Sequence, residues 1–220
     1  MTRFALCVAA FTLAAAGGLA QAPTAGGPGP VLGIVEIPKM FTINPDTGRA
    51  EPRGALTLYT QPDFNSKVAA TITEPKAIDD AEYGYEEPGA LVYRRQAGYY
   101  LIRTARGTAW LSPNDAGPFH SLETLVSDGL SHLTEAWDGF VSASPGGANR
   151  TRVPRRRANG GDSVEVTAAR RVAGRLWLQV EVMGNQHCTE PAPAVVKARG
   201  WVPAHDASGA PTVWFHSRGC

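Results

Sequence analysis

Turn signals interrupt this chain so often that few segments are long enough to bury a helix. Gln61-Pro62-Asp63, Gln96-Ala97-Gly98, Ala105-Arg106-Gly107, Ser144-Pro145-Gly146-Gly147 and Ala207-Ser208-Gly209 each end an apolar burst. Gly, Pro, Asn and Asp set turns because they supply the backbone angles or the local hydrogen bonds that turns need. Between the breaks lie short runs of strand character at 31–37, 55–59, 68–72, 91–95, 99–104, 108–111, 140–143, 163–168, 176–182, 200–203 and 213–217. With 24 glycines and 17 prolines in 220 residues, this spacing predicts an all-β fold of small barrels or sandwiches rather than α/β layers. One stretch departs from it. Leu122, Leu125, Val126, Leu130 and Leu133 recur at helical spacing within 119–133, which reads as a short connector that packs one barrel on the other.

The strand pattern occurs twice. Gly54–Pro62 compares with Asp138–Pro145, each a strand that runs into a proline turn. Tyr100-Leu101-Ile102-Arg103 compares with Trp177-Leu178-Gln179-Val180, and Gly107-Thr108-Ala109-Trp110-Leu111-Ser112-Pro113 with Ala198-Arg199-Gly200-Trp201-Val202-Pro203. Three matches in the same order argue for an internal duplication. Trp110, Trp177 and Trp201 sit in apolar strands and read as core residues, while Trp137 and Trp214 are less easily placed.

Each half resembles a bacterial Src-homology-3-like domain, a small five-stranded β-barrel. The matching segments are Leu58–Pro62, Tyr99–Arg103 and Gly107–Leu111 in the first half, and Phe140–Pro145, Leu176–Val180 and Gly200–Val202 in the second. The resemblance covers roughly 54–113 and 134–204, and the chain departs from it by inserts at 73–88 and 183–198. The implied organisation is an N-terminal extension with one strand (23–53), a first barrel (54–113), a helical connector (114–133) and a second barrel with a C-terminal tail (134–220). The resemblance implies recognition of peptides or cell-wall material in the bacterial envelope, with no catalysis and no cofactor. A structural part of an envelope assembly, or an accessory to a cell-wall hydrolase, are the alternatives.

Residues 1–22 have the form of a cleavable export signal: Arg3, an apolar run from Phe4 to Leu19, then Ala20-Gln21-Ala22. The run is too short and Ala-rich for a membrane anchor, and no cysteine follows the cleavage point as a lipoprotein would need. The expected product is therefore periplasmic or secreted, soluble and not lipidated. It would carry 20 basic and 20 acidic residues. That balance argues against a nucleic-acid partner. No later stretch is long enough to span a bilayer.

Cleavage would remove Cys7 and leave Cys188 and Cys220, most simply read as one disulfide in an oxidising compartment. A bridge of this length is worth about 3–4 kcal/mol in the loop-entropy picture. The competing reading makes Cys188 a nucleophile with His187 or His205 as base. The histidines, His120, His132, His187, His205 and His216, lack metal-ligand spacing. No Gly-x-Ser-x-Gly or phosphate-cradling motif is present.

Two charged stretches remain as binding candidates. The first insert holds Asp79, Asp80, Glu82, Glu86 and Glu87 with Tyr83 and Tyr85 between them. Tyr83, Tyr85, Glu86 and Glu87 are the expected face for a protein, peptide or cell-wall glycan, because tyrosines give rigid, amphipathic contact area. The second stretch is basic: Arg150, Arg152, Arg155, Arg156 and Arg157. Arg155, Arg156 and Arg157 are candidates for an anionic partner, or for the acidic insert itself. Arg170, Arg171 and Arg175 lie further along.

Overall fold

The computed structural model describes residues 28–44, 46–47, 50–155, 161–184 and 195–219. The export signal, Cys188, Cys220, His187, Arg156 and Arg157 lie outside the described residues. Strands follow one another in the order β1 (Gly33–Glu36), β2 (Phe41–Ile43), β3 (Ala50–Pro52), β4 (Leu56–Tyr59), β5 (Val68–Ile72), β6 (Asp80–Gly84), β7 (Glu87–Gln96), β8 (Tyr99–Thr104), β9 (Gly107–Leu111) and β10 (Phe119–Ser121). The helix α1 (Leu122–Ser127) leads into β11 (Ser131–Leu133), β12 (Phe140–Ser142), β13 (Arg150–Arg152), β14 (Asp162–Val172), β15 (Arg175–Met183), β16 (Val196–Pro203) and β17 (Val213–Phe215). Among the described residues all strand pairing is antiparallel, and the structure is all-β apart from α1 and a 3-10 turn at Pro75–Ala77.

The duplication is visible in the strand order. The first sheet runs β10-β1-β7-β8-β9-β4-β5, and the second runs β17-β11-β14-β15-β16-β12-β13 when followed in the matching direction. Every position corresponds. Each repeat has an opening strand held between its fourth and last members, a hairpin, and a three-strand meander. Each path is open: among the described residues no ladder joins its two end strands. The motif segments fall on corresponding strands, and Trp110 and Trp201 each lie on the strand that pairs with the proline-turn strand, through Tyr59 and Ser142.

Four expectations change. The segment 23–53 holds three strands rather than one, and β1 is not an extension but an inner strand of the first sheet. Its partners, β7 and β10, lie far away in sequence, so no local pattern announces it. The helical pattern of 119–133 yields only α1. Ser121 caps it, its Oγ accepting from the Thr124 N–H at 3.1 Å, while the residues on either side pair as β10 and β11 and so satisfy their backbone groups in the sheets. The 73–88 insert is not a plain loop, because β6 pairs back onto β7. Finally, the comparison of Tyr100–Arg103 with Trp177–Val180 is off by one residue. Ala97-Gly98 and Ala173-Gly174 make the same two-residue hairpin turn, with φ of 49° and 83° in one and 48° and 77° in the other. Both residues at positive φ is the turn that matches the twist of paired strands. Aligning these turns puts Ile102 opposite Leu178, both wholly buried; a one-residue slip would turn Gln179 inward.

Each repeat has its own core. Val35, Leu56, Leu58, Val92, Ile102 and Leu111 belong to the first. Trp137, Val164, Leu178, Val180 and Val202 belong to the second, together with Leu122 and Val126 of α1. The connector is thus part of the second core. Strand alternation decides the tryptophans: Trp110 lies opposite the first core, packed with Tyr59, Tyr99 and Leu101. Trp177 and Trp201 are half-buried on the outer face, beside Arg175 and Arg170. Trp110 is buried as the sequence suggested, and Trp137, unplaced from the sequence, fills the second core.

Candidate functional site

The acidic insert is a hairpin with Tyr85 and Glu86 at its bend, Glu86 in the left-handed region at φ 58°. Its side chains are largely engaged within the molecule. Glu82 accepts from Nε of Arg218 at 2.7 Å, from its Nη2, and from Oγ of Ser217 at 3.2 Å. The Arg218 guanidinium holds the Glu82 carboxyl below the usual carboxylate range. Tyr83 stacks on His120 at 4.8 Å, and burial, reinforced by the charges of Glu36 and Glu87, pushes its phenol up to about 12. Tyr83 and Glu87 line a cavity of about 240 Å³ with Glu36, Phe41 and Arg53. Tyr85 is 66% exposed, with Arg218 5.5 Å from its ring centre.

Arg155 is placed elsewhere. Its Nη2 donates to the carbonyls of Thr134 (2.9 Å) and Glu135 (3.1 Å), and its guanidinium lies 5.7 Å from the Trp137 ring. It braces a loop of the second repeat. The partner of the acidic hairpin is therefore the C-terminal Arg218, which the sequence reading passed over, and no contact among the described residues joins Arg155 to that hairpin.

A larger feature lies between the repeats. A cleft of about 680 Å³ is walled on one side by Val31, Leu32, Tyr93, Arg94, Arg95 and Phe119, and on the other by Arg171, Arg175, Leu176 and the 205–209 turn. Its floor is the junction of the two repeats. The Val31 N–H donates to the Gly209 carbonyl at 3.3 Å, and His205 Nε2 lies 2.6 Å from the Val31 carbonyl. Gly209 has φ +90°, and a Cβ there would fall 2.8 Å from the Gly29 carbonyl oxygen, so only glycine lets the two backbones meet. Burial holds the His205 imidazole below its ordinary range, and the guanidiniums of Arg171 and Arg175 push the same way. A neutral His205 donates Nε2–H to Val31. Asp206 is turned into its own loop, accepting from the Ser208 hydroxyl (2.7 Å) and the N–H groups of Ser208 (2.8 Å) and Ala210 (3.0 Å). These bonds, that from the Ser208 hydroxyl foremost, keep its carboxyl low.

The cleft is cationic, concave and in the size range of ligand sites. Its arginines were visible in the sequence only in part: Arg94 and Arg95 read as the end of a strand. The signal that marks them is the repeated Arg-Arg-x-Ala-Gly at 94–98 and 170–174, which appears once the halves are aligned on their turns. Among the described residues no three of His, Cys, Asp and Glu are grouped to hold a metal ion, and no helix is long and apolar enough to cross a membrane. Comparison with family models, with curated proteins and with solved structures gives no match.

Proposed function

We propose that this chain is an exported, non-catalytic binding module of the bacterial envelope, in which two Src-homology-3-like repeats present one ligand cleft to a protein, peptide or cell-wall component. The observation that carries this reading is the cleft itself, to which both repeats contribute a wall, with the corresponding strands β7 and β14 on opposite sides. A ligand held there contacts both repeats at once, which gives a duplicated fold a use that one copy lacks. The strand order common to both repeats, and the motif segments lying on corresponding strands, support the family resemblance. The non-catalytic reading is supported by the cleft's own groups: its imidazole, His205, is committed to the Val31 carbonyl, and the remaining polar side chains suit holding rather than bond-making. The acidic hairpin moves to second place as a binding face, because Glu82 and Tyr83 already have partners in the fold.

Retention on purified peptidoglycan tests the cell-wall version. Glu123 is exposed and lines the cleft, so Glu123→Trp fills the cleft without entering a core. The wild-type chain should be retained, Glu123→Trp should not, and the pair Tyr83→Ala and Tyr85→Ala should be retained as well as wild type. Retention indifferent to Glu123→Trp would remove the cleft from the reading; failure of the wild-type chain to be retained would remove the cell wall.

A further inference from the structure

The cleft carries a sequence written twice. Arg94-Arg95-Gln96-Ala97-Gly98 precedes β8, and Arg170-Arg171-Val172-Ala173-Gly174 precedes β15. In each copy Ala-Gly makes the hairpin turn. In each copy the second arginine pairs across the hairpin with the same position of the next strand, Arg95 with Tyr100 and Arg171 with Leu176. The turn needs its Ala-Gly; it does not need two arginines before it. The docking of the repeats then turns both hairpins toward one space: Arg94 and Arg95 stand on one wall, Arg171 of the second copy stands on the other with Arg175, which follows its turn, and Arg170 lies over Trp201 instead.

All four arginines are exposed, and none is ion-paired among the described residues. Two are steadied by aromatic rings instead. The Arg95 guanidinium lies 4.4 Å from the Phe119 ring centre and 5.5 Å from that of Tyr100, and Arg175 lies 5.7 Å from Trp177. Stacking of this kind orients the planar fork and leaves its N–H edge available. Gathering four like charges around one cavity is unfavourable until an anion arrives.

The ligand chemistry follows from what shares the cleft. Guanidinium forks match carboxylates and phosphates alike. Glu123 and Asp206 also line the space, and their charge opposes a compact, densely charged anion more than an extended one whose charges can sit against the arginines alone. Val31, Leu32, Leu176 and Phe119 add apolar wall that suits a chain with side chains. We propose that the cleft is an acidic-peptide site, in which the arginines of the two like hairpins hold carboxylates of one ligand from opposite sides. This rests on the cleft being the ligand site.

The test is isothermal titration of the full chain with an end-blocked hexaglutamate peptide, and in parallel with inorganic tripolyphosphate. One saturable site for hexaglutamate is expected, weakening as salt rises. The pair Arg94→Gln and Arg95→Gln should weaken it at least tenfold, and so should the pair Arg171→Gln and Arg175→Gln, with unchanged circular dichroism and Tm. No hexaglutamate binding, or a loss produced by one wall only, would overturn the two-sided site. Tighter binding of tripolyphosphate than of hexaglutamate would replace it with a phosphate site. Hexaglutamate binding insensitive to both pairs, in a chain whose retention on peptidoglycan is still abolished by Glu123→Trp, would sink this inference and leave the cleft as the ligand site. Retention indifferent to Glu123→Trp would sink the reading beneath it.

Discussion

The two repeats share every strand position yet differ in what they add. The first inserts the β6 strand and the β2–β3 hairpin, so that its meander carries an acidic arm; the second lengthens one strand of its central hairpin, β15 having 9 residues where β8 has 6, while β14 and β7 have 11 and 10. The shared parts are the strands that enclose the cores. One addition crosses the boundary between repeats, where the acidic arm reaches Arg218 beyond the last strand of the second repeat, while the hairpin tips that border the cleft are common to both copies. The shared strands make each copy fold, the shared hairpin tips frame the cleft, and the acidic arm is an addition that ties one copy to the other.

If that division is right, equivalent core residues should matter equally and separately. Ile102 and Leu178 occupy the same place after their turns, and both are wholly buried. Truncating either to Ala removes buried methylenes and leaves a cavity, a change that costs about 2–5 kcal/mol. Hydrogen exchange should show faster opening concentrated in the first repeat for Ile102→Ala and in the second for Leu178→Ala. Equal loss of protection in both repeats from either change would mean that the two cores unfold as one, and the comparison would then describe topology alone.

A smaller effect separates the repeats by pH. His132, on β11, lies against His216 at 4.5 Å between ring centres; its counterpart strand β1 carries no histidine. Burial, aided by the neighbouring His216, lowers the His132 pKa to about 4, and its buried Nδ1 has no hydrogen-bond partner among the described residues. The folded state therefore resists a proton that the unfolded state accepts below about 6.5. Stability is complete above that pH and declines as pH falls toward 4, by about 2 kcal/mol once partial exposure is allowed for. Thermal unfolding from pH 7.5 to 4 should show that decline, and His132→Phe should flatten it. An unchanged slope in the variant would move the pH dependence to other groups.

How much of this was legible in the chain depends on distance along it. Hairpins with tight turns could be read directly: Tyr99–Thr104 appears at those bounds, because Gln96-Ala97-Gly98 and Ala105-Arg106-Gly107 mark both ends locally. The opening strand β1 could be seen as a strand but not placed, since its neighbours Leu91 and His120 are fixed by pairing across much of the first repeat. Trp110 is buried as expected, but Trp177 and Trp201 misled because strands with apolar residues on both faces give no alternation to tell core from outer surface. The cleft was hidden for another reason. Arg94, Arg95 and Arg171 belong to a repeated sequence, but their convergence with Arg175 depends on the junction of Val31, His205 and Gly209, and no periodicity encodes the docking of one repeat on the other.

The smallest expected effect probes the acidic arm, which has no counterpart strand in the described part of the second repeat. Arg218 holds Glu82 through two nitrogens, but both side chains are open to water, and exposed ion pairs contribute little because solvent screens them and ordering two long side chains has an entropic cost. Arg218→Ala should lower Tm by less than about 4 °C. The sharper readout is Glu82 itself. Its carboxyl is lowered by Arg218 first of all, so the pair stabilises the fold at neutral pH and that contribution fades as pH falls through the folded-state pKa. In Arg218→Ala the Glu82 pKa, followed by NMR titration, should return toward the ordinary carboxylate range while Tyr83 keeps its stack on His120. A Glu82 pKa that stays low would mean that the arm is held by the first repeat alone, and the tail would no longer count among the additions that join the two copies.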